Sequence, residues 1–406
     1  MVSSRPSEHD PSNAVTKLRS GGMAALCALI GFLSAFTVPL VGLMPIGELV
    51  LLLVLPWAVV RAFMSRGWPT RMQQLKWYKL LLVFVAIMAL GYVMSDLYRG
   101  TSSEDMERGW ARVGFLGVDL MTIAYLIDGS WTRLQLFVLA LYVGRSVYGL
   151  LNLPLDANWW EFGIGPSVTA LAIYFCAGLF PLIQVGVALA LGGVGMSLGA
   201  RSLGGVAMLT AVLFGLRRAR GALRPLALLA AAGTMVLLIF AANEVILSNY
   251  DKSSSNLERR SMIETAGDAF LGSPFIGQGS WFTASHITRL EQVRGRLDPT
   301  FHGYTEEQAR QISIHSQLLV ALAEGGILGG AFFILYGGLL LKTLRTLTRY
   351  PMPHRAFVFY IVIDGVWNLC MSPFSGVARV AITLTVCACL LVILQRQGEL
   401  SDDFHE

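Results

Sequence analysis

The chain has 406 residues, of which 54% are hydrophobic and only 14% are charged, and its formal net charge is +5. Soluble domains carry about 25% charged residues, so this composition excludes an ordinary soluble fold. Long apolar runs recur, each near the ~20 residues that a helix needs to cross a bilayer. Because lipid offers the backbone no hydrogen-bond partners, we predict an all-α integral membrane protein.

The apolar runs predict about twelve transmembrane helices. The predicted spans are 23–43, 46–64, 78–98, 111–128, 133–151, 166–182, 183–200, 202–217, 224–245, 315–342, 355–371 and 375–396. We interpret the first run as a retained anchor, because it is long for the core of a signal peptide. Around Pro181 the chain forms either two helices or one broken helix, because proline removes a backbone donor.

These spans divide the chain into five parts. They are a cytoplasmic tail (1–22), nine transmembrane helices (23–245), a long polar loop (246–314), three further helices (315–396) and a second cytoplasmic tail (397–406). Lys and Arg concentrate in alternate short loops, which predicts that those loops face the cytoplasm. The long loop then lies on the extracytoplasmic side.

The long loop has recognisable elements of its own. The stretch LERRSMIETAGDAFLGSPFIGQG predicts a helix that ends at Gly-Ser-Pro and is followed by a glycine turn. Charges alternate from Arg289 to Arg310, a segment that we expect to cap a site or to move over it. Loops of this length are usually functional when they are ordered, although charge runs are often only solvated surface.

Several charged residues lie within the apolar spans, where each needs a partner or a role. Arg201 lies at the outer junction of two spans, and an arginine there either binds a ligand or extends its charge to the interface. The other intramembrane charges favour structural ion pairs. Glu48, Asp119 and Asp364 are the acids, and Arg145 and Arg379 are their candidate partners.

His315 stands at the start of an apolar span, either as a satisfied interface residue or as part of a site. At ~100° per residue, Gly326 and Gly329 share its helix face, while Glu324 points to the opposite side. Small residues at this spacing predict a groove for a neighbouring helix or an acyl chain. The N-terminus of a helix favours anions, so the pattern predicts a phosphate above and a lipid below.

Three segments together resemble the superfamily of O-antigen ligases and O-antigen polymerases. The first is His315 and Ser316, followed after nine residues by Gly326 and after two more by Gly329; Gly330 stands where that family has threonine. The second has Arg259 fifteen residues before Pro274, then Gly277 and Gly279, with Ile263 in place of a frequent tryptophan. The third is the membrane arginine, Arg201, which Ser202 follows instead of the usual glycine.

The resemblance implies a GT-C-like fold and a glycosyltransferase of the bacterial inner membrane, with its active site on the periplasmic face. A glycan would pass from an undecaprenyl diphosphate carrier to a hydroxyl, with inversion and without metal or cofactor. The acceptor is a lipid A core for a ligase and a lipid-linked repeat unit for a polymerase. Membrane lipids are further expected partners, and nucleic acid is not.

The resemblance also implies roles for individual residues. Arg201 and Arg259 would hold the diphosphate, and Arg260 would replace Arg259 if the helix is rotated. His315 would act as general base, or would only hydrogen-bond the diphosphate. The expected substrate-binding residues also include Ser316, Gly277, Gly279, Gly326 and Gly329, while participation of His286 and His302 is left open. Outside this class, about twelve spans also suit a transporter or flippase.

Overall fold

The computed structural model describes residues 11–40, 42–64, 70–153, 159–218, 250–282, 286–305, 312, 314–352 and 354–398. Most of these residues are helical. The α-helices are α1 (Pro11–Leu33), α2 (Ile46–Met64), α3 (Arg71–Gln74), α4 (Lys76–Arg99), α5 (Ser103–Ile127), α6 (Trp131–Asn152), α7 (Gly165–Phe175), α8 (Pro181–Ser197), α9 (Arg201–Arg218), α10 (Tyr250–Gly272), α11 (Ile287–Leu297), α12 (Gln317–Arg349), α13 (Arg355–Met371) and α14 (Gly376–Gln397). A π-helix (Trp159–Ile164) precedes α7, and a 3₁₀ turn (Cys176–Gly178) follows it.

Among the described residues, five helices are long and apolar enough to cross a membrane, namely α4, α5, α6, α12 and α14. Shorter apolar helices include α7, α8 and the first part of α9. The five long helices fit a multi-pass membrane protein. The predicted helical class is therefore confirmed at this coarser level.

Most predicted spans correspond closely to helices. Spans 46–64 and 355–371 coincide with α2 and α13. Two separate helices flank Pro181, because α7 and its 3₁₀ turn end at Gly178 and α8 begins at the proline. The predicted span 224–245 lies outside the described residues.

The first predicted span, 23–43, is wrong in its second half. The helix ends at Leu33, and the strands β1 (Thr37–Leu40) and β2 (Gly42–Pro45) follow as an antiparallel hairpin with Thr37 opposite Pro45. Pro39 has no N–H to donate within a helix, and the β-branched Thr37 and Val38 suit an extended backbone. Apolar character alone did not distinguish the two conformations.

Ion pairs within the bundle confirm the structural role predicted for some membrane charges. Arg379 donates to Glu48 through Nε at 2.9 Å and through Nη2 at 2.5 Å, and both residues are buried. Asp119 lies close enough to interact with both. Arg145 interacts electrostatically with Asp364 on α13.

A separate apolar cluster attaches α10 to the start of α12. Met262, Ala266 and Ala269 of α10 are buried together with Ile314 and Val320. Helix α11 also contributes to this cluster through Leu290. The cluster therefore places one face of α10 beside His315.

Candidate functional site

Arg201, Arg259 and His315 come together although they belong to three separate segments. Arg201 is the first residue of α9, and its Nη2 donates a hydrogen bond to Asn256 Oδ1 of α10 at 3.3 Å. Arg259 lies three residues further along α10 and repels the charge of Arg201. The same guanidinium acts electrostatically on His315. Arg259 is therefore near both of the other residues.

The surroundings of His315 disfavour its protonated form. Burial lowers the pKa of this imidazole from its usual value of 6.5, and the positive charge of Arg259 lowers it further. Both causes disfavour a second positive charge at this place. The environment of His315 therefore favours its neutral form, which is the form that can accept a proton.

Glu161 of the π-helix also belongs to the electrostatic environment of Arg201. Its carboxylate attracts the Arg201 guanidinium, opposing the repulsion from Arg259. A π-helix is rare, and such segments are often found at functional sites. One carboxylate thus partly offsets the repulsion that Arg201 experiences from Arg259.

The other candidate polar residues, Arg260, His286 and His302, lie outside the group formed by Arg201, Arg259 and His315. Arg260 is exposed and pairs with Glu264 at 3.0 Å, so the helix orientation favours Arg259 as the residue that faces the site. His286 precedes α11 and contacts Phe282, and His302 is exposed. Neither His286 nor His302 therefore adds a second imidazole to the group formed by Arg201, Arg259 and His315.

Ser316 caps α12. Its Oγ accepts a hydrogen bond from the N–H of Leu319 at 3.2 Å and donates to the carbonyl of Leu369 at 3.3 Å. A serine at this position satisfies one of the free N–H groups at the start of the helix. Ser316 therefore fixes where the helix begins, one residue after His315.

The predicted common helix face of His315, Gly326 and Gly329 is wrong. His315 precedes the helix, and Gly326 interrupts it with φ 63° and ψ −157°, so a rotation of 100° per residue does not apply. Glu324 accordingly does not face away from the loop. At the break, the N–H of Ile327 donates to the carbonyl of Pro274 at 2.8 Å.

The motif glycines allow backbone segments to approach closely. A Cβ on Gly326 would lie 2.4 Å from the carbonyl oxygen of Phe275, and one on Gly277 would lie 2.3 Å from that of Glu324. On the other side, a Cβ on Gly91 of α4 would lie 2.8 Å from the amide nitrogen of Gly329. Helix α4 therefore packs closely against Gly329, while the loop backbone packs against Gly326.

Sequence reasoning missed a set of buried polar residues that fastens the loop to the bundle. We call Ser95, Asp96, Arg112 and Glu324 the loop clamp. The Glu324 carboxylate pairs with Arg112 and accepts from the N–H of Trp281 at 2.9 Å. Asp96 accepts from the N–H of Ser280 at 2.6 Å, and Ser95 Oγ from the N–H of Gly279 at 2.8 Å. These bonds hold the turn that follows α10.

A cavity of about 280 Å³ lies next to the site, among α6, α7, α9, α12, α13 and α14. Its lining includes Ser202 and Gln317, which are close in sequence to Arg201 and His315. Arg145, Asp364 and Asn368 also line it. The cavity therefore begins beside Arg201 and His315 in the chain and has several polar side chains in its lining.

No protein-family model matches the chain, and no curated protein matches it. The chemistry of the site must consequently be judged from its residues. Two guanidinium groups and a neutral imidazole form an arrangement that can bind an anionic leaving group and accept a proton.

Proposed function

We propose that the protein is an inverting glycosyltransferase that moves a glycan from an undecaprenyl diphosphate carrier to an acceptor hydroxyl, as an O-antigen ligase does. The main support is the position of Arg259, whose charge acts on both Arg201 and His315. The resemblance in the three motifs supplies the substrate class. In this proposal the fold is GT-C-like with about twelve spans, and the site faces the periplasm across the inner membrane.

In the proposed reaction, the acceptor hydroxyl attacks the anomeric carbon of the donor glycan. A new C–O glycosidic bond forms on one face of the sugar, and the C–O bond to the diphosphate breaks on the other face, which inverts the anomeric centre. The neutral imidazole of His315 takes the proton of the hydroxyl. The electron pair of the broken bond passes to the diphosphate oxygen.

Arg201 and Arg259 stabilise the negative charge that develops on the diphosphate. Guanidinium groups stay protonated and match pairs of phosphate oxygens, and each charge-assisted hydrogen bond contributes roughly 1.5–3 kcal/mol. The diphosphate of the bound donor, which carries two negative charges, also relieves the repulsion between the two arginines. Binding of the donor is therefore favoured by the same pair that stabilises the transition state.

The test uses purified protein in lipid nanodiscs with an undecaprenyl-diphosphate-linked oligosaccharide as donor. We expect His315→Ala and Arg259→Ala to abolish transfer while remaining folded. Arg296→Ala is the matched control, because Arg296 is exposed and pairs with Glu264 on the loop surface. Normal transfer by either site variant, while the control is also active, would refute the assignment.

The acceptor separates a ligase from a polymerase. We offer the enzyme a lipid A core and a second lipid-linked repeat unit in parallel reactions, both containing EDTA. A product on the lipid A core identifies a ligase, and a lengthened carrier-linked chain identifies a polymerase. Transport of the labelled carrier lipid without any new glycosidic bond would instead support a flippase.

A further inference from the structure

The polar cavity beside the site contains a buried group that lacks a partner. Gln317 is only 1% exposed, and its Oε1 has no hydrogen-bond partner within the described structure. An unsatisfied buried carbonyl is costly, so a site that contains one is suited to a ligand with a hydroxyl or N–H donor. The Gln317 side chain also lines the cavity, which gives such a ligand access to it.

A chain of hydrogen bonds orders another part of the cavity lining. Ser372 Oγ donates to Asn368 Oδ1 at 2.7 Å, and Asn368 Nδ2 donates to Asp364 Oδ2 at 2.8 Å. All three residues line the cavity, as does Trp367. This part of the lining thus presents fixed polar groups together with an aromatic side chain. Sugars bind through such a combination, because they have hydroxyl groups on their edges and apolar C–H groups on their faces.

The charge of the lining argues against a phosphate in this cavity. Glu161 and Asp364 contribute two carboxylates, and Arg145 contributes one guanidinium. An acyl chain is also disfavoured, because it would leave Gln317 Oε1 buried without a hydrogen-bond donor. A neutral ligand with several hydroxyl groups brings no negative charge to the two carboxylates and supplies hydrogen-bond donors.

The size of the cavity limits the ligand to about one sugar ring. Its volume of about 280 Å³ lies just below the roughly 300–1,000 Å³ of pockets that hold drug-sized ligands. Two of its lining residues, Ser202 and Gln317, follow Arg201 and His315 closely in the chain, so a ring in the cavity lies near two of the residues that we propose for transfer.

We propose that this cavity is a subsite for one pyranose ring, with Gln317 Oε1 accepting a hydrogen bond from a ring hydroxyl. The ring belongs either to the transferred glycan or to its acceptor, and this part of the inference rests on the proposed function. Binding of the ring itself does not rest on the proposed function, so the two proposals can fail separately.

The first test measures sugar binding without any transfer reaction. Saturation-transfer NMR uses the full chain in phospholipid nanodiscs, because glycoside detergents would compete for the site. The probes are the methyl glycosides of glucose, galactose, mannose and N-acetylglucosamine. We expect the wild type to transfer saturation to at least one probe. Gln317→Leu removes one neutral hydrogen bond, so we expect it to bind that probe about three- to tenfold more weakly. Ala378→Phe fills the cavity, so we expect it not to bind.

Two controls make this test specific. Gln184→Leu removes another buried glutamine, on α8, and Arg259→Ala removes a proposed diphosphate ligand; we expect both to keep the probe signal. If Ala378→Phe does not fold, Gln317→Leu alone decides. An absence of saturation in the wild type, or unchanged affinity in Gln317→Leu, would overturn the proposal.

A second test identifies the source of the ring. In the transfer assay, a raised KM for the donor in Gln317→Leu assigns the ring to the transferred glycan, and a raised KM for the acceptor assigns it to the acceptor. Unchanged KM values for both would contradict a binding role. Probe binding by a wild-type protein that performs no transfer would refute the proposed function and leave the sugar subsite standing.

Discussion

The substitution Glu324→Gln tests whether the loop clamp holds the loop that contains α10 and α11 in place. The side chains of Glu324 and Arg112 are only 4% and 6% exposed, so the pair is shielded from water. The carboxylate also accepts from Tyr92 Oη at 2.8 Å and from the N–H of Trp281 at 2.9 Å. A glutamine at this position replaces one acceptor oxygen with a donor and leaves the Arg112 charge unpaired.

The expected cost follows from this environment. Removing one partner of a buried ion pair costs about 3–5 kcal/mol. The clamp joins the turn at 277–281 to the bundle, so we expect the loss to appear mainly as local opening of that turn. With about 1.4 kcal/mol for each factor of ten, the open population rises roughly a hundred- to a few thousand-fold.

Hydrogen exchange of the protein in nanodiscs measures this opening at the amides of Gly279 and Trp281. Both amides are hydrogen-bonded within the clamp, so their protection reports its opening. Glu264→Gln is the matched control, because Glu264 is an acid of the same loop that forms surface ion pairs with Arg260 and Arg296. Surface pairs contribute about 1 kcal/mol or less. Protection in Glu324→Gln within tenfold of the wild type would refute the reasoning.

Two further predictions concern His315 and Gly326. Burial and the charge of Arg259 lower the pKa of His315, so we expect the transfer rate, measured between pH 5 and 8, to fall on the acid side with a midpoint below pH 6.5. A midpoint at or above pH 6.5 would contradict this. Gly326→Ala places a Cβ 2.4 Å from a carbonyl oxygen at φ 63°, so we expect a loss of about 1–3 kcal/mol in thermal unfolding. A Cβ on Gly267 meets nothing within 4 Å, so equal stability of Gly326→Ala and the control Gly267→Ala would refute the packing argument.

The helix positions were largely predictable because a spanning helix needs a long apolar run. Turn-forming residues marked some ends as well: Pro45 precedes α2, and Ser372 and Pro373 follow α13. Residues 37–45 are the exception, because this apolar sequence forms a hairpin. Hydropathy measures burial or lipid exposure, and it does not distinguish a helix from an extended pair of strands.

The glycine motifs were easier to find than to interpret. The resemblance placed Gly277 in the loop motif and Gly326 in the motif that begins at His315. Their role depends on contacts between distant segments: Gly326 lies against the carbonyl of Phe275, and Gly277 lies against that of Glu324. A periodicity argument assumes a continuous helix, and the docked loop removes that continuity at Gly326. The predicted groove was therefore wrong, because it assumed a helix that continues through Gly326.

The loop clamp illustrates a limit of sequence reasoning. A buried charge is costly, so the sequence predicts that it has a partner, but it does not identify which residue that partner is. Glu324 and Arg112 are separated by 212 positions, and no local pattern connects them. Their pair fixes the turn after α10, while the apolar cluster of Met262, Ala266 and Ile314 attaches α10 to the chain just before His315. Helix α10 is thus held by an ionic contact beyond its C-terminal end and by apolar packing along its length. Arg259 consequently has a defined position relative to His315, and in the proposed reaction a charge fixed in this way would stabilise the transition state without reorganisation.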